Sequence, residues 1–278
     1  MGRTASEARG LQKTLPWLML VLACSMGCSS TRMSGPPPAQ ESKAPSLVQA
    51  TAPSSKSTRV VEKPLDGSNA RRTITHEVAP MESIWRIAKM YEVSEQSLYE
   101  ANHLKPGDPI RIGQKLVIPN ARGMRNVVPL YANSRWKYLV IHHTATEIGK
   151  ATLIHNSHQD RGFWQGLGYD FLIDNGTLGK GDGQIEVSPR WIKQQTGAHC
   201  QAGGMNTKGI GIALVGNFNM EHPTPAQMES LVYLTTTLRQ YYQIPAGNVV
   251  GHRDVTGAKT DCPGRNFPWQ SFVKQLPR

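Results

Sequence analysis

A set of short apolar runs, each stopped by a polar or turn residue, constrains this chain more than any other feature. Tyr138-Leu139-Val140-Ile141 reads as a buried strand and ends on His142-His143-Thr144. Residues 209–215 form another buried strand, and Val249-Val250 a short one that ends on His252. Residues 168–173 make a strand followed by a hairpin signal at Asp174-Asn175-Gly176. Between the strands lie helical segments. Residues 150–160 are stopped by Gly162, and Thr224-Pro225 supplies an N-cap and a first-turn proline for a long helix with Met228, Leu231, Val232, Thr235 and Leu238 on one face. Strands alternating with helices predict an α/β domain over 125–278, with one central mixed sheet flanked by helices.

Composition narrows the class. With 18% charged residues and 38% hydrophobic ones the chain is not a coiled coil, and a mean hydropathy of −0.41 excludes a multi-span membrane protein. Four cysteines in 278 residues do not make a disulfide scaffold. The net charge of +11 favours a polyanionic partner: nucleic acid, an anionic membrane or a cell-wall polymer.

The N-terminus has the parts of an export signal: Arg3, Arg9 and Lys13, then an apolar run over 15–23. That run is too short to span a bilayer core of roughly 30 Å. Cys24 directly follows Ala23, an arrangement that resembles the bacterial lipobox, with Cys28 a weaker alternative. The resemblance implies a signal peptide over 1–23, a lipidated Cys24 and an envelope lipoprotein. No acidic residue follows Cys24, which favours the outer membrane, facing the periplasm. Residues 24–72 are rich in Ser, Pro and Ala and show no hydrophobic period, so they are expected to be a disordered tether.

Structure is expected to begin at Thr73. Residues 74–78 alternate as a strand until Pro80 breaks it, and Ile84, Ile87, Ala88 and Tyr91 mark one face of a helix. Ser94 caps a second short helix, and 115–118 closes as a strand before Pro119. The order over 73–119 is βααβ. Val78 to Ala88, Asn102, Ile110, Gly113-Gln114, Leu116 and Ile118-Pro119 together resemble a LysM domain. Such domains bind N-acetylglucosamine-containing glycans in a shallow groove between the first strand–helix loop and the loop after the second helix. The resemblance therefore implies glycan contacts at Pro80, Met81, Glu82 and Ser83 and at Leu104, Lys105 and Pro106. Met81-Glu82 stands where the family usually has Gly-Asp. Residues 120–133 leave little slack between this module and the domain that follows.

In that second domain His142, His252 and Cys262 form a plausible three-ligand zinc site, because catalytic zinc takes three protein ligands and leaves one position open. The surrounding blocks are more specific. Ile141-His142-His143-Thr144-Ala145-Thr146, Gly168-Tyr169-Asp170-Phe171, Gly209-Ile210-Gly211 through Gly216-Asn217-Phe218, Gly251-His252-Arg253-Asp254 and Asp261-Cys262-Pro263-Gly264 occur in this order. Together they resemble the zinc N-acetylmuramoyl-L-alanine amidases, the superfamily that includes phage lysozyme-type amidases and peptidoglycan recognition proteins. The resemblance implies hydrolysis of the amide joining muramic acid to L-alanine of the stem peptide. It also implies peptidoglycan and, through the lipid anchor, the membrane as partners, with no nucleic acid. Zinc falls to His142, His252 and Cys262, catalysis to Tyr169 and Thr260, and substrate contact to His199 and Asn206.

Cys262 and Ala213 separate the chain from the anhydromuramyl-peptide branch, which has Asp before Pro-Gly and a Glu on the strand. His143 is expected on the opposite face of its strand, His155 and His158 in helix packing, and Asp254 in a turn. A Cys200–Cys262 disulfide would destroy the site. Two rivals stand beside the amidase. One is a non-catalytic peptidoglycan binder, a class that commonly lacks the cysteine ligand; the other is a zinc peptidase cutting within the stem peptide.

Overall fold

Ser94 does in space what its position in the sequence suggests, and Ser83 does the same for the preceding helix. Ser83 Oγ accepts the Arg86 N–H at 3.2 Å and Ser94 Oγ that of Ser97 at 3.0 Å, so each hydroxyl opens a helix by satisfying an otherwise unpaired donor. The computed structural model describes residues 47–48, 57–65, 70–163 and 165–277. The expected leader, Cys24 and most of the tether lie outside the described residues.

Strand β1 (Leu47–Val48) and strand β2 (Ser57–Pro64) precede β3 (Arg72–Glu77), α1 (Ile84–Tyr91), α2 (Glu95–Ala101), β4 (Ile110–Arg111) and β5 (Lys115–Ala121). β3 and β5 pair antiparallel, with His76 opposite Leu116 and Ile74 opposite Ile118. Val78, Ile84, Ile87, Tyr91, Leu98, Ile110, Leu116 and Ile118 fill the core between this ribbon and the two helices. Trp85 stays half-exposed.

β2 corrects the expectation of a disordered tether over its whole length. It pairs antiparallel with β6 (Arg125–Tyr131), Val60 lying opposite Pro129 and Val61 opposite Val128, and Lys63 reaches Glu229 at 2.6 Å. The strand lacks a hydrophobic alternation of its own, and its pairing partner lies more than sixty residues away, so no local pattern announces it. β1 pairs with β4 in the same antiparallel sense.

The second half continues through β7 (Tyr138–His143), α3 (Ala151–Asp160), β8 (Phe171–Asn175), β9 (Asp182–Val187), the short α4 (Pro189–Ile192) and α5 (Met205–Lys208). It closes with β10 (Gly209–Leu214), α6 (Pro225–Tyr242), β11 (Val249–Gly251) and α7 (Trp269–Lys274). Its sheet has the order β11-β7-β10-β8-β9, parallel except for the antiparallel β8–β9 pair. The mixed sheet expected from the sequence is therefore present. One face, carrying Leu139, Ile141, Ile212 and Leu214, packs on Leu231, Leu234 and Leu238 of α6. α6 opens with a reciprocal cap between Thr224 and Gln227. On the other face Ala213, Leu172 and Val215 meet Ala151 and Ile154 of α3. Among the described residues no helix is long and apolar enough to cross a membrane.

The two halves share a seam. The loop after β3 is not an open lip of a groove: Ala79 joins the cluster formed by Ala151, Ile154 and Leu172. Glu82, 1% exposed, accepts the Ala79 N–H and meets His76 Nε2, both at 2.7 Å. Arg86 Nε donates to Val127 O at 3.1 Å and its Nη2 to Ile185 O at 3.3 Å. Lys150 pairs with Glu77 at 2.7 Å, and Lys180 with Glu186 at 3.0 Å.

Candidate metal centre and active site

Parallel neighbours bring their carboxyl ends to one edge, which is where open α/β sheets place their sites. β7 carries His142 as its last residue but one, and the chain leaving the adjacent β11 begins with His252. Alternation along β7 turns Val140 and His142 to the α3 side and Ile141 and His143 to the α6 side. His143 accordingly accepts the Phe218 N–H on its Nδ1 at 3.0 Å. Cys262 arrives on the loop after β11. That loop is held by Arg253, whose N–H donates to Cys262 O at 2.7 Å and whose Nη1 donates to Gly264 O at 3.0 Å. Gly264 lies so close to the Phe218 backbone that a Cβ there would fall 2.5 Å from a carbonyl carbon.

The three side chains converge. His142, His252 and Cys262 each offer one ligand atom, all within 4.8 Å of one another, the one such group among the described residues. His142 Nδ1 is 3.5 Å from Cys262 Sγ. Tetrahedral zinc with Zn–N near 2.0–2.1 Å and Zn–S near 2.3 Å separates such a pair by about 3.5–3.6 Å, so the spacing fits. The donors fit too. Burial lowers the pKa of both histidines, keeping their lone pairs free, and raises the Cys262 thiol to about 12. A thiolate there needs a cation beside it, as a metal provides. Cys200 and Cys262 are both free thiols.

Beside the centre runs a groove of about 450 Å³, lined by Tyr169, Thr144, Thr146, the α3 residues Leu153 and His158, and Arg161 just after α3, among others. The Tyr169 ring lies 5.2 Å from that of His142 and 5.6 Å from that of His158. His158 Nδ1 accepts the Gly168 N–H at 3.0 Å and His155 Nδ1 that of Leu167 at 3.2 Å, so both histidines brace the turn that carries Tyr169. Thr260 is exposed two residues before the cysteine, where its Oγ1 accepts the Cys262 N–H at 3.1 Å. Asp254 closes a turn by accepting the Gly251 N–H at 3.1 Å.

The two expected substrate contacts, His199 and Asn206, make bonds within the protein. His199 borders the groove, but its side chain is 0% exposed and both ring nitrogens are engaged, with His142 at 3.1 Å and Gly209 O at 3.2 Å. Asn206 Oδ1 is likewise taken, accepting the N–H groups of His199 and Cys200 at 2.8 Å each. The expected glycan contacts divide. Lys105 and Pro106 are exposed and Leu104 and Met81 half-exposed, whereas Pro80, Glu82 and Ser83 are buried, the first strand–helix loop being packed into the seam. Asp170 was not singled out from the sequence. It is fully buried, with Oδ2 accepting the Gly211 N–H at 2.8 Å, and burial raises its carboxyl to about 7.

Comparison with known proteins identifies the family. Residues 132–265 match the family model for N-acetylmuramoyl-L-alanine amidase, and residues 76–119 match that for the LysM domain. Peptidoglycan-recognition protein SC2 of Drosophila melanogaster is 36% identical over 139 residues, 47% of this chain and 69% of that protein. The N-acetylmuramoyl-L-alanine amidase of Homo sapiens is 28% identical over 139 residues, 46% of this chain and 22% of that protein. Among solved structures, N-acetylmuramoyl-L-alanine amidase LysC from Clostridium intestinale URNW is 34% identical with a TM-score of 0.43, covering 51% of this chain and 87% of that one. Because peptidoglycan-recognition protein SC2 is this similar over more than two thirds of its length, the chain belongs to the family of N-acetylmuramoyl-L-alanine amidases and peptidoglycan-recognition proteins, and it carries a LysM domain ahead of that family's domain.

Proposed function

We propose that this protein is a peptidoglycan hydrolase that cleaves the amide between N-acetylmuramic acid and the L-alanine of the stem peptide. The observation that carries the reading is the convergence of His142, His252 and Cys262 beside a groove that Tyr169 also lines. The cysteine supports a cutting enzyme over a binder. Zinc held by these three side chains would supply Lewis acidity, polarising the scissile carbonyl and lowering the pKa of water from about 15.7 toward about 7.

The remaining work falls to the chain's own groups. Burial, and after it the neighbouring Cys262 sulfur, push the ionisation of Tyr169 above its ordinary value, so the phenol keeps its proton at neutral pH. It is suited to donate to the oxygen that gains charge as the carbonyl is attacked, a contact worth roughly 3–4 kcal/mol. Thr260 is the next hydroxyl in line. His142 and His252 hold their lone pairs because burial disfavours their charged forms. The wall formed by α3 orients substrate along the sheet edge.

The apolar run over 15–23 and Cys24 support a lipid anchor in the cell envelope, at the outer membrane facing the periplasm, with the LysM domain on the same glycan that the enzyme cuts. Labelled lipid should enter the wild-type chain and Cys28→Ala but not Cys24→Ala. Mass spectrometry of digested cell wall tests the activity: free stem peptides beginning with L-alanine are expected. Internal cuts would mean a peptidase, and an unchanged wall would mean a binder.

A further inference from the structure

We propose that His199 is a positioning residue that determines which nitrogen His142 turns toward the metal, an inference that rests on the zinc reading above. An imidazole can ligate through either nitrogen, and the hydrogen bond made by the other one selects between them. Here the selection follows from a chain of contacts anchored in the backbone. His199 Nε2 lies 3.2 Å from Gly209 O, and a carbonyl only accepts, so that nitrogen carries the hydrogen. In the neutral ring Nδ1 is then an acceptor. It lies 3.1 Å from His142 Nε2, which must donate. The lone pair of His142 is left on Nδ1, the atom 3.5 Å from Cys262 Sγ.

The seat around His199 is built to keep this order. A Cβ at Gly197 or at Gly211 would come within 2.6 Å of the His199 ring, so both positions must be glycine for the ring to lie where it does. Asn206 holds the backbone on either side of the ring, through the N–H groups of His199 and Cys200. Asp170 Oδ2, fixed by the Gly211 N–H, stands 3.9 Å from His199 Nε2 and favours the hydrogen on that nitrogen. Of these groups His199 borders the groove, and both of its ring nitrogens are taken, by His142 and by Gly209 O. The groups act on His142.

The test is zinc affinity, measured by competition with a chelator on the full folded chain, together with proton–nitrogen correlation spectra of its imidazoles. Wild-type protein should show the His142 proton on Nε2 with and without zinc. His199→Leu should fold and weaken zinc binding by about 10–100-fold, the usual effect of removing a partner of a metal-bound histidine. His199→Asn should recover most of the loss, because its amide oxygen occupies the place of Nδ1 and accepts from His142. A substrate contact would instead raise KM and leave zinc affinity alone. Unchanged zinc affinity in folded His199→Leu, or a proton on His142 Nδ1 in the zinc-free wild type, would overturn the inference while the zinc reading stood. A wild-type chain that binds no zinc would bring down that reading itself. If His199→Leu does not fold, the wild-type spectra still decide.

Discussion

Two regions of this molecule bury polar side chains, and they do so in opposite ways. In the seam between the LysM domain and the amidase domain, Glu82, Arg86, Lys180 and Glu186 are all buried, and each charge has a partner or a backbone group within hydrogen-bond reach. At the sheet edge His142, His252 and Cys262 converge with no opposite charge among them, and burial favours the neutral form of each. A closed network of paired charges fixes one arrangement of two domains; a cluster of lone-pair donors has unspent capacity to bind. The difference separates a structural cluster from a functional one where burial alone would not.

The largest effect should come from removing a donor of the second kind. Cys262→Ala should abolish zinc binding and reduce amidase activity to background, with the melting transition in the absence of zinc nearly unchanged. Asp261→Ala, next door but exposed, should keep both zinc and activity. The reverse order in metal analysis would move the ligand role to Asp261.

Breaking the seam should act on stability first. Arg86→Ala removes the cation beside Glu82 and Glu186 and leaves two backbone carbonyls without their donor. Removing one partner of a buried charged network costs about 3–5 kcal/mol. Because Ala79 packs on α3, both halves should melt together and earlier. Two separate transitions in calorimetry, with only the LysM one shifted, would show that the seam is not a shared core.

Tyr169→Phe should lower kcat by about 10²–10³-fold and leave zinc content and melting temperature close to wild type, because the lost donor acts on charge that develops only during reaction. Equal kcat would make Tyr169 a packing residue, and Thr260 would inherit its role.

A smaller effect should appear in acid. Burial pushes the Glu82 carboxyl up, but His76, Lys180 and Arg86 outweigh it and hold its pKa well below the ordinary 4.5. A depressed folded pKa contributes stability above the unfolded value and loses it as pH falls below that value toward the folded one. Thermal melts should therefore show an acid-side decline that begins near pH 4.5, and Glu82→Gln should be less stable at pH 7 and flatter below pH 4.5. A parallel decline in both proteins would place the acid-sensitive group elsewhere.

Much of the fold was legible because its signals are local. Ser94 caps the helix it precedes, and the apolar runs of β7 and β10 are interior strands of the sheet. The metal triad was legible because His142 and His252 stand where two such runs stop. What escaped depends on distant partners. β2 finds its pairing in β6, and the 79–83 loop is drawn inward where Ala79 packs on α3, far along the chain. His199 was visible as a residue beside the site, but the direction of its hydrogen bonds depends on Gly209, and its seat on Gly211 and Asp170.

The smallest expected effect bears on what the LysM domain does once it is docked. With Pro80, Glu82 and Ser83 committed to the seam, the surface left for glycan is Lys105 and Pro106, with Leu104 and Met81 half-exposed. Contacts at the edge of a sugar site cost less than about 1.4 kcal/mol each, so Lys105→Ala or Met81→Ala should weaken binding to insoluble sacculi by less than about tenfold. Neither should alter turnover of a small soluble muropeptide, since neither residue lines the groove. That outcome would make the LysM domain both a brace, through its buried loop, and a weak tether, through its exposed one, holding the enzyme near its substrate without any new contact at the reacting bond. If sacculus binding survives the joint change of Lys105, Pro106 and Met81, the domain serves the amidase through the seam alone.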